Sequence, residues 1–242
     1  MRGRVAGCAA LLLALLTGCG DGGAKAETKP ARPPATAAGV DGDVDPGKVF
    51  TDAELKAALL PAKAIGARAR AYDVMSGPSN PYQGGGDWGS CEPGKEAHEQ
   101  LLRLRGPSAS HTVRPFPGAV EDEHPYVHES LLSMTAEQAG RRIELRRQLN
   151  KACPRVTVDT DAAPVEEHHV AERLPDLGDE ALLETSRIEG GDGYDGSLPR
   201  YDVEVRVGGV LVRVSAGTDK DLTLTSAARA AARVRTELHR AG

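Results

Sequence analysis

Residues 201–214 leave the chain little freedom. Tyr201, Val203, Val205 and Val207 alternate with Asp202, Glu204 and Arg206, and Val210, Val212 and Val214 alternate again after Gly208-Gly209. Strict alternation describes a strand with one apolar face, and a Gly-Gly pair between two such runs suits a two-residue type I′ turn. That turn pairs Val207 with Val210, Val205 with Val212 and Val203 with Val214. The valines then share one face, and Glu204 falls opposite Arg213 on the other, where a solvent-side ion pair is expected. One register satisfies both faces, so an antiparallel hairpin is predicted.

The elements around this hairpin are read from caps and periodicity. Thr51 with Glu54 and Thr135 with Gln138 form two capping boxes, each opening a helix. The second helix carries Leu145, Leu149 and Ala152 on one side and stops at Pro154. A last helix is expected from about Asp221 to Arg240, with Leu224, Ala227, Ala231, Val234 and Leu238 inward and Arg229, Arg233 and Arg240 outward. Strands are expected at 67–75, 111–116, 127–134, 156–158, 167–172 and 181–188, and 97–104 reads as helix or strand. Strands follow one another with helices at intervals and no βαβ run. The fold class is therefore α+β, a mostly antiparallel β-sheet with helices packed against it, as one globular domain after a disordered tether.

The first residues say where the chain goes. Arg2 and Arg4 precede an apolar run from Val5 to Leu16, about the length of a signal-peptide core and short for a membrane span. Leu16-Thr17-Gly18-Cys19 resembles the bacterial lipobox. That resemblance implies removal of residues 1–18 and a lipid on Cys19, which anchors the chain to the extracytoplasmic face of the cell membrane; an ordinary signal peptide is the alternative. Residues 19–48 are rich in Pro, Gly and Ala without apolar period and are expected to be a disordered linker. The folded domain is expected over 49–242.

Four cysteines are present. Cys8 leaves with the leader and Cys19 takes the lipid. Cys91 and Cys153 remain as a pair in an exported chain, which reads as one disulfide, with two free buried thiols as the alternative. The stretch 76–90 before Cys91 is full of Gly, Pro and Asn and has little apolar content. Trp88, the only tryptophan, is placed as a candidate cleft rim on this loop; packing on the core is the bland reading.

Composition and motifs exclude more than they assign. A net charge of -5 opposes a nucleic-acid partner. His124 and His128, with the pair His168-His169, could join in a zinc site only if two distant segments met, and no HExxH is present. Asp192-Gly193-Tyr194-Asp195-Gly196 lacks calcium-loop spacing. No GxSxG occurs. The arginine pairs Arg141-Arg142 and Arg146-Arg147, and Arg229 with Arg233, read as solvated helix faces, with an anionic ligand or lipid headgroup as the minority reading. No catalytic, cofactor-binding or metal-ligating residue is assigned, and no cofactor is expected.

Several pieces in order carry a family resemblance: Thr51-Asp-Ala-Glu-Leu-Lys-Ala-Ala-Leu-Leu-Pro61, Cys91 with Ala152-Cys153-Pro154, Leu174-Pro-Asp-Leu-Gly-Asp-Glu180, and Arg206-Val-Gly-Gly-Val-Leu-Val212 before a final helix. Together, over about residues 49–240, they resemble the PknH-like extracellular sensor domain of receptor kinases and of small lipoproteins in high-GC Gram-positive bacteria. The resemblance implies an antiparallel sheet with flanking helices, a cleft, a disulfide and a sensing role, with no kinase domain in this chain. The expected function is a non-catalytic, lipid-anchored extracytoplasmic ligand-binding or sensor-like lipoprotein, its ligand an unidentified small molecule or envelope component. A cell-envelope hydrolase and a structural or partner-interaction lipoprotein are the alternatives.

Overall fold

The structure is a computed structural model that describes residues 37–40, 44–78, 88–115, 126–159, 164–189 and 198–239. Residues 1–18 expected as the leader, Cys19, the glycine-rich stretch 79–87 before Trp88, His124 and residues 192–196 lie outside the described residues.

In chain order the strands are β1 (Ala37–Ala38), β2 (Arg70–Pro78), β3 (Pro107–Arg114), β4 (Val127–Ser133), β5 (Arg155–Val158), β6 (Val165–Arg173), β7 (Leu177–Gly178), β8 (Glu180–Glu189), β9 (Arg200–Val207) and β10 (Val210–Ser215). The helices are α1 (Asp52–Ala58), α2 (Ala62–Ile65), α3 (Lys95–Arg103), α4 (Ala136–Ala152) and α5 (Lys220–Leu238). One sheet of eight strands runs β2-β3-β4-β10-β9-β8-β6-β5, with every neighbouring pair antiparallel. The α+β architecture read from the sequence is the one found. Both capping boxes form, at Thr51 and Thr135.

The β9–β10 hairpin has the predicted register, Val207↔Val210, Val205↔Val212 and Val203↔Val214. Gly208 holds φ 58°, a conformation that glycine adopts without a Cβ clash. The valine face packs on Ala227, Ala230, Ala231 and Val234 of α5 and, through Leu131 and Val113, on Leu55 and Ala58 of α1. Arg229 and Arg233 do more on α5 than face solvent. Arg229 Nη1 donates to Ala64 O, while Arg233 donates to Leu59 O at 2.8 Å and Ala57 O at 2.9 Å. They satisfy carbonyls left over where α1 and α2 end.

The opposite face is not a solvent face. α4 lies across it, with Ala139 and Ile143 packed on Leu182 and Leu211. α3 packs in turn on α4, through Leu101 against Leu145 and Leu149. Glu204 is therefore buried, and so are Arg142 and Arg146 of α4. This corrects both the solvent-side Glu204–Arg213 pair and the solvated arginine face. Arg213 does lie across from Glu204 in the ladder, but its guanidinium goes to Asp202, at 3.0 Å. The stripe of α4 that meets the sheet is Ala139, the adjacent pair Arg142 and Ile143, Arg146 and Asn150, successive turns of the helix, whereas Leu145 and Leu149 point to α3.

Part of the expected linker is fold. Ala37–Ala38 pair in parallel with Leu177–Gly178, and Val40 is buried in the main core. Asp179 fastens this segment: its carboxylate accepts from Val40 N at 2.5 Å and from Gly208 N at 2.5 Å. Ordered structure thus begins before residue 49. The chain joins the domain beside the β9–β10 turn, at the end of the sheet remote from Tyr126 and Arg200.

Candidate functional site

The helices cover the sheet unevenly. α4 spans β10, β9, β8 and β6, while the helices that pack on β2, β3 and β4 all lie on the valine side. Among the described residues, no helix covers the α4-side face of β2, β3 and β4 and the adjoining end of β10 and β9. Strand register lays its side chains out in rows. Arg70, Arg114 and Tyr126 head the face; Tyr72, Thr112, His128, Ser215 and Asp202 form the next row; Met75, Ser110, Ser130 and Arg213 form the third.

Polar groups on this face hold one another in place. Arg114 Nη2 donates to the Tyr126 hydroxyl at 3.0 Å, and its guanidinium carbon lies 5.2 Å from the Tyr72 ring centre and 5.1 Å from that of Tyr126. The two rings meet edge to face at 6.1 Å. An arginine seated between two aromatic faces is pre-organised and keeps its charge. Thr112 Oγ1 and His128 Nδ1 are 3.3 Å apart, and Arg213 Nε donates to Asp202 at 3.0 Å. Burial lowers the His128 pKa and the Arg213 guanidinium lowers it further, so the ring is neutral near pH 7. Thr112 and His128 place a hydroxyl beside an imidazole. Asp202, the carboxylate of that row, is paired with Arg213.

Under α4 lies a second polar cluster, sealed from solvent. Arg146 forks between Glu184 and Glu204: Nε donates to Glu184 Oε1 at 2.9 Å, Nη2 to Glu184 Oε2, and Nη1 to Glu204 Oε2 at 2.7 Å. Arg142 Nε donates to Glu204 Oε1 at 3.2 Å, and Asn150 Nδ2 to Glu184 Oε1 at 2.9 Å. Burial opposes the Glu204 charge, but Arg146, Arg142 and Arg213 outweigh it and hold its pKa at about 2. On the valine side Glu129 accepts from His111 Nε2 at 2.8 Å and from Leu60 N at 3.0 Å, which ties β4 to the chain after α1. These buried clusters position elements; they have no open approach for a ligand.

Cys91 and Cys153 are bonded, with S–S 2.01 Å and Cα atoms 6.2 Å apart. Trp88 is not on a rim. It is 3% exposed, packed with Leu101, Leu145, Leu149 and Cys153, its ring centre 4.3 Å from that of His169. The reason is the disulfide three residues on: it draws the short 3-10 turns around Trp88 and Glu92–Gly94 onto the end of α4, where an indole fills the gap between α3, α4 and β6. His168 and His169 point to opposite faces of β6, so they cannot share one metal ion. His128 sits on the bare face, far along the sheet from both.

Of the residues on the bare face, the sequence singled out His128 as a possible metal ligand and Arg213 as a solvent-side partner of Glu204, neither as part of a binding surface. Tyr72, Arg114, Tyr126 and Arg213 are dispersed over 141 positions of chain order by number and meet only through the ladder β2-β3-β4-β10. The local signal was present: 108–114 alternates Ser, Ser, Thr and Arg with Ala, His and Val, so the side facing away from the core is polar but almost uncharged.

No family model and no curated protein matches this sequence. A solved structure does. The fold is similar to that of the extracellular domain of PknH from Mycobacterium tuberculosis. The TM-score is 0.56 with 12% identity, over 78% of this chain and 99% of the PknH domain. The PknH-like fold expected from the quoted residues is thus found in the architecture, and at this identity the likeness is one of fold.

Proposed function

We propose that this chain is a lipid-anchored extracytoplasmic ligand-binding or sensor-like lipoprotein that does no chemistry itself. The carrying observation is the bare face of β2, β3, β4 and β10, where an aromatic-flanked arginine, a neutral histidine and a row of hydroxyls line a surface no described helix covers. Three further features support the reading. The sequence Leu16-Thr17-Gly18-Cys19 after the apolar run 5–16 resembles a lipobox. Residues 37–40 are fastened beside the β9–β10 turn, at the end of the sheet away from Tyr126 and Arg200. The fold is similar to that of a domain described as extracellular. The non-catalytic reading rests on the Thr112–His128 pair: the carboxylate that could orient the imidazole, Asp202, is engaged by Arg213.

One paired experiment tests this. The wild-type chain should fractionate with membranes and resist a salt wash, and Cys19→Ala should be released. Small molecules set free by denaturing the purified wild-type chain should include a species absent from a Tyr72→Ala, Arg114→Ala double variant. Membrane retention of Cys19→Ala would place the anchor elsewhere. Identical small-molecule profiles from both chains would count against binding at this face.

A further inference from the structure

Charge on the bare face runs against the charge of the chain. The protein carries -5 overall, yet Arg70, Arg114, Arg200 and Arg213 share this face with Asp202 as the carboxylate of its rows. Arg70 and Arg200 are exposed, and the Arg200 charge is felt by Glu167 of β6 on the same side of the sheet. The cations do not converge. Arg114 lies in the first row on β3, Arg200 in the same row three strands across, and Arg213 two rows down on β10. At about 4.8 Å per strand and about 3.3 Å per residue, the four arginines, from Arg70 on β2 to Arg200 on β9, are spread over roughly 19 Å by roughly 13 Å. A single phosphate is held best by donors that converge on it. Dispersed arginines match single charges strung along a chain.

The groups between the arginines narrow the class. Ser110, Thr112, Ser130 and Ser215 are half-buried hydroxyls, and Tyr72 and Tyr126 offer ring faces with polar tips. Met75 is the one large apolar side chain in the rows, so an acyl chain has nowhere to bury. A peptide would add a strand along the β2 edge, whereas the rows of polar side chains run across the face over β3, β4 and β10, each paired on both sides.

Resting on the reading of this protein as an extracytoplasmic binding module, we propose that the bare face of β2, β3, β4 and β10 binds an acidic saccharide, a sugar chain carrying carboxylates, with Arg114 and Arg213 as charge contacts and the hydroxyl row and tyrosines meeting the sugar frame. Arg70 and Arg200 set the potential that draws it in, and Asp202 opposes it.

Tri-galacturonate, maltotriose, tri-glutamate and inorganic phosphate, each titrated into the purified full chain at about 0.02 M and about 0.2 M salt, test the class. The readout is the NMR shifts of Thr112, His128, Ser130 and the arginine side chains. Tri-galacturonate should saturate and shift these residues, about five-fold or more weaker at the higher salt. Arg70→Gln and Arg200→Gln, exposed and outside the packed core, should each weaken it about three-fold or more, and Asp202→Asn should strengthen it. Equal, salt-independent binding of maltotriose at the same residues would overturn the charge requirement and leave the binding-module reading standing. Saturation by tri-glutamate or phosphate in place of the sugar would overturn the saccharide. No shift of the face by any probe would overturn the proposal, and the module reading falls with it only if no small molecule co-purifies either.

Discussion

Arg146 of α4 donates to Glu204 of β9 at 2.7 Å, and both side chains are buried. The pair marks a seam in which two arginines and two glutamates, with Asn150, join a helix to a sheet where apolar side chains would ordinarily serve. Removing one partner of such a seam strands the other's charge. Arg146→Leu should cost about 3–5 kcal/mol in urea unfolding. Glu204 holds its proton only below its ordinary range, at about 2. Its stabilisation is therefore complete above the unfolded pKa of about 4.5 and is lost as pH falls from there toward about 2. Glu204→Gln should flatten the stability profile in that window; an unchanged acid limb would mean that the seam carries no net stability.

His169 works in a higher window. Burial lowers its pKa to about 4, with the neighbouring His168 adding to the effect. A histidine that resists protonation when folded contributes stability above its unfolded pKa of about 6.5 and loses it as pH falls toward about 4. Between pH 7 and pH 5 the wild-type chain should lose about 2 kcal/mol that His169→Phe retains. Phenylalanine keeps a ring against Trp88, and neither Trp88 Nε1 nor His169 Nε2 has a hydrogen-bond partner among the described residues to be lost. Parallel profiles for the two proteins would remove His169 from the account.

The disulfide closes 62 residues, for which chain entropy gives a stabilisation of about 4 kcal/mol. Reduction should lower the melting temperature by roughly 10 °C for a domain of this size. Trp88 packs directly on Cys153, so its emission should shift to the red as water reaches the indole. A reduced protein with unchanged emission would show that α3 and α4 hold Trp88 without the bridge.

Asp179 joins three segments by accepting from Val40 and Gly208 amides. Asp179→Ala leaves two donors without their acceptor and should cost about 2–3 kcal/mol. Amide exchange of residues 37–40 should accelerate ahead of the sheet. Equal exchange in both proteins would mean that pairing with β7 alone retains that segment.

Valine alternation, two capping boxes and a Gly-Gly turn made the hairpin, α1, α4 and the last helix legible, because each rests on neighbours in sequence. The second covered face was harder. Glu204 and Arg206 sit at the polar positions of β9, and alternation of that kind ordinarily means water on one side. The counter-signal lay in the continuous apolar runs Val210-Leu211-Val212 and Ala181-Leu182-Leu183, which need burial on both faces and receive it from α4. Arg142 and Arg146 misled for a related reason: their apolar neighbours Leu145 and Leu149 face α3, so the stripe that meets the sheet is the polar one. The bare face could not be read at all from local pattern. It depends on which strands α4 leaves uncovered, and that is settled by the order β4-β10-β9, which places the first hairpin against the last.

The most direct test of the bare face as the binding site is arginine footprinting with phenylglyoxal, read by peptide mass spectrometry, on protein with and without extract of its own cell envelope. Arg70, Arg114, Arg200 and Arg213 should be protected together, while Arg155 of edge strand β5 and Arg187 of β8, both on the opposite, valine side of the sheet, react as before. Protection centred on Arg155 and Arg187, or none at any arginine, would contradict the assignment.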